Sequence, residues 1–148
     1  MGHCRGSRRV KRKIRILLDT NMLLAIADGI NIFEQIEDIL ETKPEYIVIK
    51  PVLIELQKLG STASPSVKRK TKFALQIVEQ FCKVIDDELF SKMINTKVDD
   101  LIVEFALKHG IAVATNDKEL RKKLREKGIP EIYLREESMR VDIEGLEI

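Results

Sequence analysis

The sequence predicts an α/β domain: a three-layer sandwich with a central, mainly parallel sheet and helices on both faces. Three observations carry this. Compact β-branched runs recur along the chain. Stretches with apolar residues at helical spacing lie between them, and that alternation is the mark of βαβ units. The length of 148 residues, 44% of them hydrophobic, suits one domain with a true core.

The elements follow in order. "IRILL", 14–18, reads as the first strand. "NIFEQIEDIL" spaces Ile32, Phe33, Ile36, Ile39 and Leu40 as a helix, which Pro44 ends. "YIVI", 46–49, is the second strand. Pro51 suits a first helical turn, where its missing N–H costs nothing, and "VLIELQKL" continues as a helix closed by Gly60. "STASPS", 61–66, reads as a loop. The next helix carries Phe73, Ile77 and Phe81 at spacing four, then Val84 and Ile85 form a short strand. "DDELFSKMINTK" has no clear period. Asp99 opens a helix with Ile102, Val103, Ala106 and Leu107 inward, ending at Gly110. "IAVAT", 111–115, is a strand. Asp117 begins a basic helix that Gly128 and Pro130 end, "EIYL" is the last parallel strand, and "MRVDI" adds an edge.

Charge is unevenly placed. The net charge is +2, but Arg5, Arg8, Arg9, Lys11, Arg12 and Lys13 crowd into residues 1–13 with no acid. The rest holds 20 basic and 24 acidic residues, a net −4. We therefore divide the chain into a basic arm, 1–13, expected to be flexible, and one domain, 14–148. A second basic cluster, "DKELRKKLREK", spans 117–127. Such clusters are commonly solvated faces, but the two together suit a nucleic acid partner. Cys4 and Cys82 lack metal-ligand spacing, which points to a reducing cytoplasm with Cys82 as core filler. No apolar run is long enough to span a membrane. The two histidines, His3 and His109, give a histidine-based mechanism little material, and His109 suits a helix C-terminus. No glycine-rich phosphate loop is present.

The acids are more informative. Asp19 interrupts an apolar run, where burial penalises charge. Glu55 lies one turn into the helix after the second strand. Asp117 follows "IAVAT", and Asp99 starts a helix feeding the same edge. In α/β sheets, sites form outside the carboxyl ends of the strands. Singly, Asp99 and Asp117 suit helix N-caps, and Glu55 suits an amphipathic surface. Together they suit one pocket. Four carboxylates in one place need a cation or a proton, and hard oxygen donors favour Mg²⁺ or Mn²⁺. Such ions activate water for attack at phosphorus. We expect carboxyl oxygens of Asp19, Asp99 and Asp117 to lie within about two metal–ligand bonds of a shared point, at ~2.0–2.2 Å per bond, with Glu55 further out. Asp86, Asp87 and Glu88 read as a turn, Asp100 points elsewhere, and Glu119 is a further acid near Asp117.

"ILLDTNMLL", "VLIELQKL", "VDDLIVEFALKHG" and "IAVATNDKELRKKLR" together resemble the PIN-domain nucleases over roughly residues 14–135. The resemblance implies a Mg²⁺- or Mn²⁺-dependent endoribonuclease with catalytic and metal-binding Asp19, Glu55, Asp99 and Asp117. Asn21 and Thr115 would support them. Lys118, Arg121, Lys122, Arg125, Arg8, Arg9, Lys11 and Arg12 would hold RNA phosphates. Within the family, the doubled Asp and the basic helix look closer to the branch that matures ribosomal RNA. The VapC-type toxins, each held by an antitoxin, are the alternative. A homodimer, an antitoxin and a ribosome-assembly protein are the partners implied beside RNA. Other classes fit less well. A haloacid-dehalogenase-type phosphatase needs an acid at position 21, where Asn21 stands. A phosphoacceptor receiver needs paired acids near the first strand. A non-catalytic RNA-binding scaffold would lack metal-dependent cleavage.

Overall fold

The computed structural model describes residues 13–62 and 64–145. Within them, six strands form one sheet in the order β3-β2-β1-β4-β5-β6: β1 (Arg15–Leu18), β2 (Glu45–Ile49), β3 (Cys82–Ile85), β4 (Ala112–Ala114), β5 (Glu131–Arg135) and β6 (Arg140–Glu144). All pairings are parallel except that of β5 with β6. Successive residues Ile16, Leu17 and Leu18 are all fully buried, as are Ile47, Val48 and Ile49. Neighbours on a strand point to opposite faces, so both faces of the sheet are covered.

Among the described residues, seven helices provide the cover: α1 (Thr20–Ala27), α2 (Ile32–Leu40), α3 (Lys50–Thr62), α4 (Pro65–Phe81), α5 (Glu88–Lys92), α6 (Val98–His109) and α7 (Lys118–Glu126). The topology fixes where a site forms. From β1 the chain moves outward through β2 to β3, then returns to β1's other side for β4, β5 and β6. The carboxyl ends of β1 and β4 are therefore the switch point of the sheet, where loops diverge and leave a crevice.

Several local expectations need correction. Gly60 does not close α3, which runs on to Thr62 and shortens the supposed loop. Its function is contact: a Cβ there would stand 3.0 Å from Thr71 Cγ2 of α4, so glycine lets the two helices approach. Phe73 and Phe81 are about half exposed. The buried stripe of α4 is Thr71, Ala74, Ile77 and Val78, and Phe73 falls beside it. Phe81, the last residue of the helix, sets its ring 5.8 Å from that of Phe33. Ile39 and Leu107 are likewise exposed, because α2 turns Ile32, Ile36 and Leu40 inward, and α6 turns Leu101, Ile102, Phe105 and Ala106 inward. Cys82 is a half-buried strand residue rather than core filler, with burial pushing its thiol up to about 12. Asp87 belongs to more than a turn. It caps α5 through the Leu89 N–H and pairs with Lys108 and His109, each at 3.4 Å. No helix among the described residues is long and apolar enough to cross a membrane.

Candidate active site

A cleft of about 530 Å³ opens at the switch point, lined by Asp19, Asn21, Glu55, Asp99 and Asp117. A larger hollow of about 630 Å³ lies at the other end of β2, around Lys13, Pro44, Tyr46 and Phe81. Of these two, only the first lies where the strands end.

Each acid reaches the cleft from a different element. Asp19 follows β1 and is only 5% exposed. It also caps α1: its Oδ1 accepts the Met22 N–H at 2.9 Å. Its Oδ2 accepts a short hydrogen bond from the Thr115 hydroxyl. Thr115, fully buried after β4, accepts in turn from the Asp117 N–H at 3.0 Å. One hydroxyl therefore ties two acids from two strands into fixed register. Asp117 caps α7, accepting from the N–H groups of Glu119 and Leu120 at 2.9 and 3.3 Å. Asp99 lies in the first turn of α6, where Lys97 and not Asp99 is the cap. Glu55 accepts from the Thr20 hydroxyl at 2.5 Å.

The electrostatics bind these acids into one unit. Burial raises Asp19 from its ordinary 3.8 to about 6; hydrogen bonds from Thr115 and Met22 oppose the rise, while the charges of Asp99 and Asp117 add to it. Asp99 is raised too, first by burial and then by the charge of Asp117; Lys123 opposes, and Glu55 and Asp100 add. Asp100 itself points away to Lys123, at 2.8 Å.

The expected tight convergence is not found. Among the described residues, no three acids, histidines or cysteines form a cluster ready to enclose a metal ion. The reason is visible in the hydrogen bonds. Asp19 and Asp117 each turn back to cap their own helix, and Glu55 is held by Thr20. The donor set nonetheless suits a hard divalent cation. Mg²⁺ characteristically takes one or two carboxylates and fills its octahedron with water and substrate phosphate, rather than an all-protein cage. An open, carboxylate-lined cleft whose acids feel one another's charge matches that habit.

The basic helix divides. Lys118 and Lys122 are exposed on α7. Arg121 and Arg125, expected beside RNA phosphates, are instead committed to Glu131, at 2.6 and 3.1 Å. Glu131 is 1% exposed, and a buried carboxylate needs such partners. Arg8, Arg9, Lys11, Arg12 and Cys4 lie outside the described residues. Thr20 and Lys58 are among the cleft residues that the sequence alone does not single out. Lys58 stands one helical turn after Glu55, and that three-residue spacing was the signal available. Among the described residues Lys58 has no acidic partner within salt-bridge distance.

Residues 16–137 match the family described as "PIN like domain". The chain is 34% identical over 124 residues to Ribonuclease VapC4 of Methanocaldococcus jannaschii, covering 82% of this chain and 91% of that protein. It is 30% identical over 132 residues to Ribonuclease VapC9 of Archaeoglobus fulgidus, covering 88% and 90%. Among solved structures, the PIN domain endonuclease Utp24 superposes with a TM-score of 0.70 at 26% identity, over 89% of this chain and 92% of that one.

Proposed function

We propose, from the premise that this chain belongs to the PIN-domain family, that it is a divalent-metal-dependent endoribonuclease. Hydrolysis of an internal RNA phosphodiester is the reaction, and Asp19, Glu55, Asp99 and Asp117 carry it. The observation behind this is the lining of the switch-point cleft: four carboxylates from separate elements, with Asp19 and Asp99 raised partly by their neighbours' charges.

Asp19 and Asp99 are the residues best placed to hold Mg²⁺ or Mn²⁺, with Asp117 and Glu55 acting directly or through water. Bound there, the cation supplies positive charge to the phosphate and lowers the pKa of an attacking water. The chain's own contribution is placement. Thr115 fixes Asp19 and the backbone of Asp117 in one orientation, so little reorganisation is needed during reaction. Thr20 holds Glu55. Asn21 presents an amide at the mouth. Lys58 brings a cation onto an otherwise acidic wall and is suited to a phosphate oxygen. Lys118 and Lys122 extend that reach along α7, and Arg8, Arg9, Lys11 and Arg12 of the sequence add positive charge suited to RNA phosphates.

We assign the enzyme first to maturation of ribosomal RNA, which the basic helix and arm support. A toxin role, with an antitoxin as partner, is the second reading, favoured by two curated relatives named VapC. The test is incubation of full-length protein with structured ribosomal RNA and Mn²⁺, with and without EDTA. Discrete internal cuts that EDTA abolishes are expected. Intact RNA under both conditions would leave a binding scaffold.

A further inference from the structure

A second hollow of about 410 Å³ adjoins the cleft and holds none of the four acids assigned to hydrolysis. The segment 116–118 separates the two: Asp117 faces the cleft, while Asn116 and Lys118 line the hollow. Helix α1 does the same, with Leu24 on the cleft and Ala25, together with the capping Asp28, on the hollow. The cleft and the hollow thus lie on either side of the same short segment.

The polar groups of the hollow divide into spent and unspent. Asp28 is paired with Lys70 at 3.0 Å, and Arg135 with Asp142 at 2.6 Å. Arg121 is held by Glu131 and lies 3.6 Å over the Tyr133 ring. That pairing fixes a flat guanidinium in the wall, and such planes are surfaces on which unpaired bases stack. Asn116 is oriented without ambiguity. Its carbonyl oxygen accepts the Leu134 N–H at 2.8 Å, so its NH₂ is the group left to donate. Among the described residues, that NH₂ has no acceptor, and neither Lys118 nor Glu136 has an ion-pair partner.

We propose that this hollow is a subsite for one guanine base of the RNA, beside the scissile phosphate. Guanine alone among the four bases presents two adjacent N–H donors, at N1 and N2, next to a carbonyl, O6. A carboxylate matches the two donors, as Glu136 does, and an NH₂ matches the carbonyl, as Asn116 does, which leaves Lys118 for the adjoining phosphate. Adenine, cytosine and uracil each offer Glu136 at most one N–H position on that edge. Met139, half exposed at the rim, adds a polarizable contact to the base.

This rests on the RNA reading but is tested by binding alone, in EDTA. The probes are fluorescein-labelled single-stranded octaribonucleotides, all uridine except one central position carrying G, inosine, A or U. Anisotropy titrations with the full chain should give G about tenfold tighter than A or U, with inosine between because it lacks the N2 donor. Glu136→Gln should collapse the G-to-A ratio, and any gain in affinity from the lost negative charge should be shared by all four probes. Asn116→Asp keeps the acceptor for Leu134 N–H and removes the NH₂, so it should also lower the ratio without unfolding the loop. Equal affinity for all four probes overturns the subsite, as does a G preference indifferent to Glu136→Gln. A guanine preference in a chain that never cleaves RNA would keep the subsite and remove the nuclease.

Discussion

Replacing Asp19 by Asn should stabilise the protein, and the amount should depend on pH. The folded chain ionises Asp19 at about 6, against 3.8 ordinarily, and the residue is only 5% exposed. Between those two values the unfolded chain has lost the proton while the folded chain still keeps it. Stability therefore falls as pH rises from about 4 to about 6, and then levels. The gap of roughly two pH units corresponds to about 3 kcal/mol at neutral pH. The asparagine side chain of the variant carries no charge and still offers a carbonyl to Met22 N–H. Rearranging the Thr115 bond costs about 1 kcal/mol of that gain. Asp19→Asn should thus gain about 2 kcal/mol at pH 7.5, or about 6 °C in Tm, and lose about 1 kcal/mol at pH 3.5, where only the Thr115 cost is left. Urea unfolding followed by far-UV circular dichroism in EDTA measures both. A variant less stable than wild type at pH 7.5, or a gain equal at both pH values, refutes the reasoning.

Thr115→Val removes the hydroxyl that steadies ionised Asp19, so the acid limb of the pH–rate profile should move up by about one to two pH units; an unmoved limb would show that the bond matters little. Gly60→Ala sets a helix-propensity gain of about 1 kcal/mol against an overpacking cost of about 1–3 kcal/mol where its methyl meets Thr71 Cγ2 at 3.0 Å, and a net loss of about 1 kcal/mol is expected. Thr71→Ser removes the opposing carbon, and the double variant, compared by urea midpoints, should recover most of that loss. Lys118→Ala and Lys122→Ala should each reduce the salt slope of RNA affinity by about 0.7 for every phosphate no longer neutralised. Arg121→Met should leave that slope nearly unchanged but lower stability by about 3 kcal/mol, because Glu131 loses a partner. Anisotropy at several salt concentrations and urea melts separate the two effects.

The strands were legible because each is a short apolar run bounded by turn residues, and position alone then put Asp19 and Asp117 at strand ends. What local sequence lacked was tertiary direction. Phe73, Ile39 and Leu107 are apolar at helical spacing yet face outward, since period does not say which side of a helix meets the sheet. Gly60 reads as a stop signal, and only the partner helix carrying Thr71 gives it another use. The site shows the same limit. Capping and function looked like rival uses of an acid, but Asp19 and Asp117 cap helices and line the cleft at once. Arg121 and Arg125 looked free because their partner, Glu131, lies beyond the helix on the next strand.

In the proposed reaction the carboxylates at the β1–β4 switch point cleave RNA. The most direct measurement is nicking of a closed circular single-stranded RNA by wild type and by Asp19→Asn, Asp99→Asn and Asp117→Asn, each first verified as folded. In Mn²⁺ the wild type should linearise the circle, EDTA should stop it, and each variant should be slower by at least about a hundredfold, the scale of losing one preorganised electrostatic group. Linearisation that survives EDTA, or that proceeds at the wild-type rate in all three variants, contradicts the account.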